Sequence, residues 1–111
     1  MGDFVKVAET KDIQPSKMIA VEVDGEKICI ANVEGKYYAI GNICTHMGGP
    51  IAEGKLKGNV VQCPWHGSVF AIEDGRVVAG PATYSQPCFE VRVREGQIEV
   101  RRPKGTAPNP Y

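Results

Sequence analysis

Two short segments constrain this chain more than anything else in it: Cys44-Thr45-His46 and Cys63-Pro64-Trp65-His66. Each offers one thiol and one imidazole, and residues 47–62 separate the two segments. Four such side chains at this spacing read as a metal site. Their order narrows the choice. A zinc finger of the usual kind presents its two cysteines together and its two histidines later. Here each segment holds a mixed pair. Such a layout suits a two-metal centre, with both sulfurs on one metal and both nitrogens on the other.

A [2Fe–2S] cluster in which two histidines replace two cysteines on one iron has this ligand set. The surrounding residues carry a family resemblance. Cys44-Thr45-His46-Met47-Gly48-Gly49-Pro50, Cys63-Pro64-Trp65-His66-Gly67-Ser68-Val69-Phe70 and Gly80-Pro81-Ala82 resemble the Rieske-type ferredoxins, above all the small ferredoxin of multicomponent aromatic-ring dioxygenase systems. The paired ligand boxes are highly specific and the Gly-Pro-Ala segment is supportive. With the strand pattern around them, the likeness spans almost the whole chain.

The resemblance implies one Rieske [2Fe–2S] cluster held by Cys44, His46, Cys63 and His66. It implies a soluble one-electron carrier between a reductase and a terminal oxygenase, not an enzyme by itself. Partners would dock near His46 and His66, each with its second ring nitrogen near solvent, and the carrier would be a monomer. An alternative is the small Rieske subunit of an assimilatory nitrite reductase, bound permanently within an enzyme. A zinc-stabilised interaction module without a redox role is a third reading.

Mixed ligation has an electrostatic consequence. Two ferric ions, two sulfides and two thiolates sum to zero charge, whereas an all-cysteine cluster starts from two negative charges. Adding an electron is easier in the first case. Rieske centres accordingly span roughly −150 to +300 mV, against about −400 mV for plant-type ferredoxins. Gly48, Gly49 and Gly67 allow tight loops whose N–H groups can point at sulfur. Trp65 reads as packing between the loops and the surface. By resemblance, Pro81 belongs to a segment covering one side of the cluster, and Ser68 matches a hydroxyl that can donate to a bridging sulfide. Ser68 also reads as a plain turn residue. Phe70 falls where high-potential respiratory relatives carry tyrosine, and Gly49 and Trp65 replace their disulfide cysteines. These departures point to the low end of the range.

The rest of the chain reads as short strands: Phe4–Ala8, Met18–Val23, Lys27–Val33, Tyr37–Ile40, Asn59–Gln62, Ser68–Ile72, Val77–Val78, Phe89–Arg94 and Gln97–Arg101. Asp24-Gly25, Glu34-Gly35 and Glu95-Gly96 are hairpin-type turns between them. No repeat and no helix stands out. The expected fold is therefore all-β and antiparallel, a sandwich or barrel-like base with a small inserted cluster-binding subdomain. One domain over 1–103, with the subdomain at about 41–83, would precede an extended or mobile tail at 104–111.

A chain of 111 residues with 42% hydrophobic and 23% charged residues fits one globular domain. Its formal net charge of zero argues against general attraction to nucleic acid or membranes. Neither a signal peptide nor a membrane-spanning run is evident, so a cytoplasmic location is expected. Cys29 and Cys88 lie in strand-like surroundings and read as reduced thiols. Tyr37 and Tyr38 read as sheet residues, and Arg92, Arg94, Arg101 and Arg102 as a solvated sheet face.

Overall fold

The structure, a computed structural model, describes residues 4–23, 25–43, 49–65, 67–80, 86 and 88–101. Cys44, His46, Gly48, His66, Pro81 and the tail lie outside the described residues. Ten strands form the fold: β1 (Val5–Glu9), β2 (Met18–Val23), β3 (Glu26–Val33), β4 (Lys36–Gly41), β5 (Lys55–Lys57), β6 (Val60–Gln62), β7 (Val69–Ala71), β8 (Val77–Ala79), β9 (Cys88–Arg94) and β10 (Gln97–Arg101). The only helical pieces among the described residues are single 3-10 turns, Thr10–Asp12 and Ile51–Glu53. The expected all-β antiparallel class is the observed one.

The larger sheet runs β1-β10-β9-β4-β3-β2, with every pairing antiparallel. Its two edge strands, β1 and β2, meet again, so the sheet curls into a nearly closed barrel. The hairpin turns are made by left-handed residues: Gly25 at φ 81°, Glu34 and Gly35 at 52° and 89°, and Glu95 and Gly96 at 50° and 75°. Consecutive positive φ values match the turn to the right-handed twist of the strands it joins.

Strands β3 and β4 form a wall between two cores. Side chains alternate across a strand, and here both faces of β3 are covered. Ile28 and Ile30, with Ala39 of β4, face the barrel interior with Ile13, Phe89, Ile98 and Val100. Cys29 and Ala31, with Ile40 of β4, face a second core shared with Ile51, Val61, Cys63, Phe70 and Ile72. That second core lies under the smaller sheet, ordered β5-β6-β7-β8. The smaller sheet is thus fixed to the barrel by burial on the barrel's outer wall.

Three local readings change. Strand β5 is present although Lys55-Leu56-Lys57 is short and polar. It forms because Leu56 pairs with Val61 and packs on the second core, a tertiary effect that propensity does not carry. Asn59 belongs to a turn with Gly58 at φ 60°, not to β6. The alternation in β9 continues to Arg94, but burial stops early, and Val93 is 47% exposed. Strand β4 pairs with β9 only at Cys88 and Phe89, so the far half of β9 rests on β10 alone.

Among the described residues the arginine face is solvated, with cross-strand partners for Arg92 and Arg101, while Arg102 lies outside them. Arg92 Nε lies 2.6 Å from Glu99, and Arg101 Nε lies 2.7 Å from Glu90. Both guanidinium groups also sit over the Phe4 ring, at 4.1 and 4.5 Å. Each exposed pair contributes about 1 kcal/mol or less.

Candidate metal centre

Both candidate ligand segments spring from antiparallel stems. In the first, the Asn42 N–H donates to Lys27 O at 2.9 Å, which extends the β3–β4 ladder by one rung. Ile43 then bridges to Pro50 and encloses residues 44–49. In the second, Gln62 pairs with Val69 and encloses residues 63–68. Inside it the Cys63 N–H donates to Ser68 O at 2.8 Å. Cys44 and Cys63 therefore each follow directly, in sequence, a residue paired across its stem.

Cys63 is 1% exposed and packs in the core with Ile51, Val61, Phe70 and Ile72. A β-carbon built on Gly49 would stand 2.8 Å from Cys63 Sγ and 2.9 Å from Trp65 Cγ. The bare backbone of the first loop thus lies directly against the sulfur of the second. Gly49 and Trp65, the two positions equated above with disulfide cysteines, are neighbours. Trp65 is 50% exposed, so it both packs on Gly49 and shows apolar surface to solvent. Gly67 has φ 76°, a left-handed conformation that glycine takes without a steric penalty. Ser68 and Phe70 are fully buried.

Asn42 and Gln86 are site-building residues that sequence reasoning missed. Asn42 Oδ1 accepts the Ala52 N–H at 2.7 Å, and its carbonyl accepts the Ile51 N–H at 2.8 Å. It holds the 3-10 turn that follows the first loop. The Gln86 side-chain amide donates to Gly41 O at 2.7 Å and to Ile43 O at 2.8 Å. Both contacts span more than forty positions of chain, so nothing local announces them. A polar residue just after a strand, as Asn42 is, was the one available hint.

The other described cysteines are not placed for metal binding. Burial pushes the Cys29 thiol up to about 12, so it stays neutral, and it contacts Met18 Sδ at 3.6 Å. Cys88 is raised by burial first and by the Asp74 charge second, and its thiol donates to Glu73 O at 3.3 Å. Both are free thiols, as expected. Cys63 alone among the described cysteines sits in a candidate ligand loop. A buried anionic thiolate is costly unless a cation compensates it. A soft metal centre fits a sulfur enclosed in this way. No set of three His, Cys, Asp or Glu side chains converges among the described residues, and Cys44, His46 and His66 lie outside them.

Comparison with known proteins agrees with this geometry. Residues 3–90 match the Rieske [2Fe-2S] domain family. Ferredoxin CarAc of Metapseudomonas resinovorans is 34% identical over 98 residues, covering 87% of this chain and 92% of that protein. Apoptosis-inducing factor 3 of Mus musculus is 32% identical over 88% of this chain, but the chain spans only 16% of that protein's length. Among solved structures, the ferredoxin of carbazole 1,9a-dioxygenase from Nocardioides aromaticivorans superposes with a TM-score of 0.87 at 25% identity, covering 91% of this chain and 99% of that one. A complex of reduced oxygenase and oxidized ferredoxin in carbazole 1,9a-dioxygenase gives 0.84 at 33% identity, covering 88% and 92%. A Mycobacterium tuberculosis chain assigned as the small subunit of an NADH-dependent nitrite reductase gives 0.82 at 25% identity, covering 92% and 96%. With the family match running over most of its length, the chain belongs to the Rieske [2Fe–2S] domain family.

Proposed function

We propose that this protein carries single electrons on a Rieske [2Fe–2S] cluster from a reductase to a terminal oxygenase of the aromatic-ring dioxygenase type. It is not itself catalytic. The observation that carries the reading is the closure of two stems around two loops, with the buried Cys63 sulfur against the bare backbone of Gly49. Ferredoxin relatives matched over nearly their whole length, such as CarAc, support it. So does a structural neighbour crystallised as an oxygenase–ferredoxin complex.

In this reading Cys44 and Cys63 hold one iron, and His46 and His66 hold the other. When bound, the cluster accepts and returns one electron. The polypeptide keeps water from the Cys63 sulfur and fixes the stems of both loops. Gly48, Gly67, Ser68, Phe70 and Pro81 line or support that site. The reductase and oxygenase dock in turn near His46 and His66, and the exposed Trp65 ring, next to His66 in sequence, offers apolar surface for that contact. The unit is one domain over 1–103 with a cluster-binding subdomain at 41–83, and it works as a cytoplasmic monomer. No helix among the described residues is long and apolar enough to cross a membrane.

Metal analysis tests the reading. The purified protein is expected to hold about two iron and two acid-labile sulfide per chain. Alanine at Cys44, His46, Cys63 or His66 should each abolish or cripple that content. Stoichiometric zinc without sulfide would refute it. The nitrite reductase neighbour favours a second reading, a permanent small subunit. Purification in stable complex with a larger reductase would select it, and a free monomeric shuttle would exclude it.

A further inference from the structure

Gln86 is 3% exposed and joins three parts of the chain. Its side-chain amide gives one hydrogen to Gly41 O at 2.7 Å and the other to Ile43 O at 2.8 Å. Its own N–H donates to Gly75 O at 2.7 Å. Gly75 lies in the turn between β7 and β8, has φ 78°, and approaches the Gln86 carbonyl so closely that a β-carbon there would collide with it. Gln86 therefore ties the turn between β7 and β8 to the end of β4. The same side chain fixes the last paired residue before Cys44.

A purely structural amide could sit anywhere along this wall. This one spends both hydrogens on carbonyls of the first loop's stem, and one of those belongs to the residue adjoining Cys44. Buried carbonyls need such donors, and leaving them unmet costs free energy. The donor's positive end also points toward the base of the loop. A more negative charge state within the loop is favoured by that orientation.

We propose that Gln86 is a positioning residue for the metal centre. Through its two amide hydrogens it sets the base of the first ligand loop, and through its backbone N–H it couples that base to the turn between β7 and β8. This rests on the reading of Cys44 and His46 as ligands. Two replacements separate donation from packing. Gln86→Leu keeps approximate size without donors, and Gln86→Glu keeps shape but, as the neutral acid that burial against two carbonyls favours, only one donor. Loss of one donor disfavours the reduced state, and loss of both disfavours it further.

The test measures the reduction potential and the electron paramagnetic resonance spectrum of the reduced protein, beside iron content and the circular dichroism of the sheets. The exposed Gln14→Leu serves as a control. Altered resonance positions are expected in both Gln86 variants. Potentials are expected to fall in the order wild type, Gln86→Glu, Gln86→Leu, with Gln14→Leu unchanged. A variant that loses iron while its sheets still melt as in wild type also supports the positioning role. Iron-loaded variants with wild-type potential and spectrum would overturn it, as would variants that lose the sheets along with the iron. If the ligand reading itself fails, the wild-type protein already lacks a mixed Cys/His signature, which tells the two failures apart.

Discussion

Gly49 lies so close to Cys63 that a single added methyl would reach 2.8 Å from the sulfur and 2.9 Å from Trp65 Cγ. The Cys63 side cannot yield, because that residue is held in the core between Val61 and Phe70. Trp65 is half exposed and has room to turn outward. Gly49→Ala is therefore expected to displace Trp65 and push the first loop away from the sulfur. Overpacking of this kind costs about 1–3 kcal/mol. Iron content per chain, with tryptophan fluorescence as a local reporter, checks it. Full iron loading with unchanged fluorescence would show that the loop absorbs the methyl elsewhere.

Phe70 shares the buried core with Cys63 and is itself fully enclosed. Phe70→Tyr adds a hydroxyl that must find a partner there or cost about 1–3 kcal/mol. If the ring tip faces a ligand sulfur, the hydroxyl donates to it and favours the reduced state. A hydrogen bond to a charged group is worth about 1.5–3 kcal/mol, but only the difference between oxidation states counts. With about 59 mV per 1.4 kcal/mol for one electron, the potential should rise by some tens of mV. A potential that does not rise, in iron-loaded protein, would mean that the tip points away from the sulfur.

Cys29 gives the fold a dependence on alkaline pH. Burial raises its thiol from 9.0 to about 12, so the folded state holds this proton more tightly than the unfolded state does. Its contribution is intact below about pH 9 and is lost as the pH climbs toward 12, at about 1.4 kcal/mol per unit. Cys29→Ala leaves a small cavity that costs about 1–2 kcal/mol at neutral pH, yet its stability should decline less steeply above pH 9. Urea midpoints of both proteins from pH 7 to 11 compare the slopes. Parallel declines would mean that other groups dominate.

What the sequence made legible follows from period and punctuation. The alternation in Gln97–Arg101 and the Gly-containing pairs at 34–35 and 95–96 specify hairpins by local chemistry, and the structure has them. Cys44, His46, Cys63 and His66 stood out because their spacing is itself chemical information. Strand β5 stayed hidden because Leu56 is held by Val61 and the core behind it. The double burial of β3 looked like a plain apolar run, since the second core on its far side is made by residues 51–72. Gln86 was illegible for the same reason, because its partners Gly41 and Ile43 are distant in sequence.

The claim that His46 and His66 join Cys44 and Cys63 as ligands has a direct test in the proton. An imidazole bound to a metal keeps one N–H, and a bound cation makes such protons more acidic, ferric iron more than ferrous. Reduction should then be coupled to proton uptake only in alkaline solution. Two histidines titrating in each other's company give macroscopic values that belong to the pair. Voltammetry of the intact protein from neutral to strongly alkaline pH is the decisive measurement. Histidine ligation should give one reversible one-electron wave, nearly level around neutral pH and falling above it toward about 59 mV per pH unit for one proton per electron. A potential that stays level throughout, in protein that keeps its iron and sulfide, would contradict histidine ligation and the docking surface placed beside it.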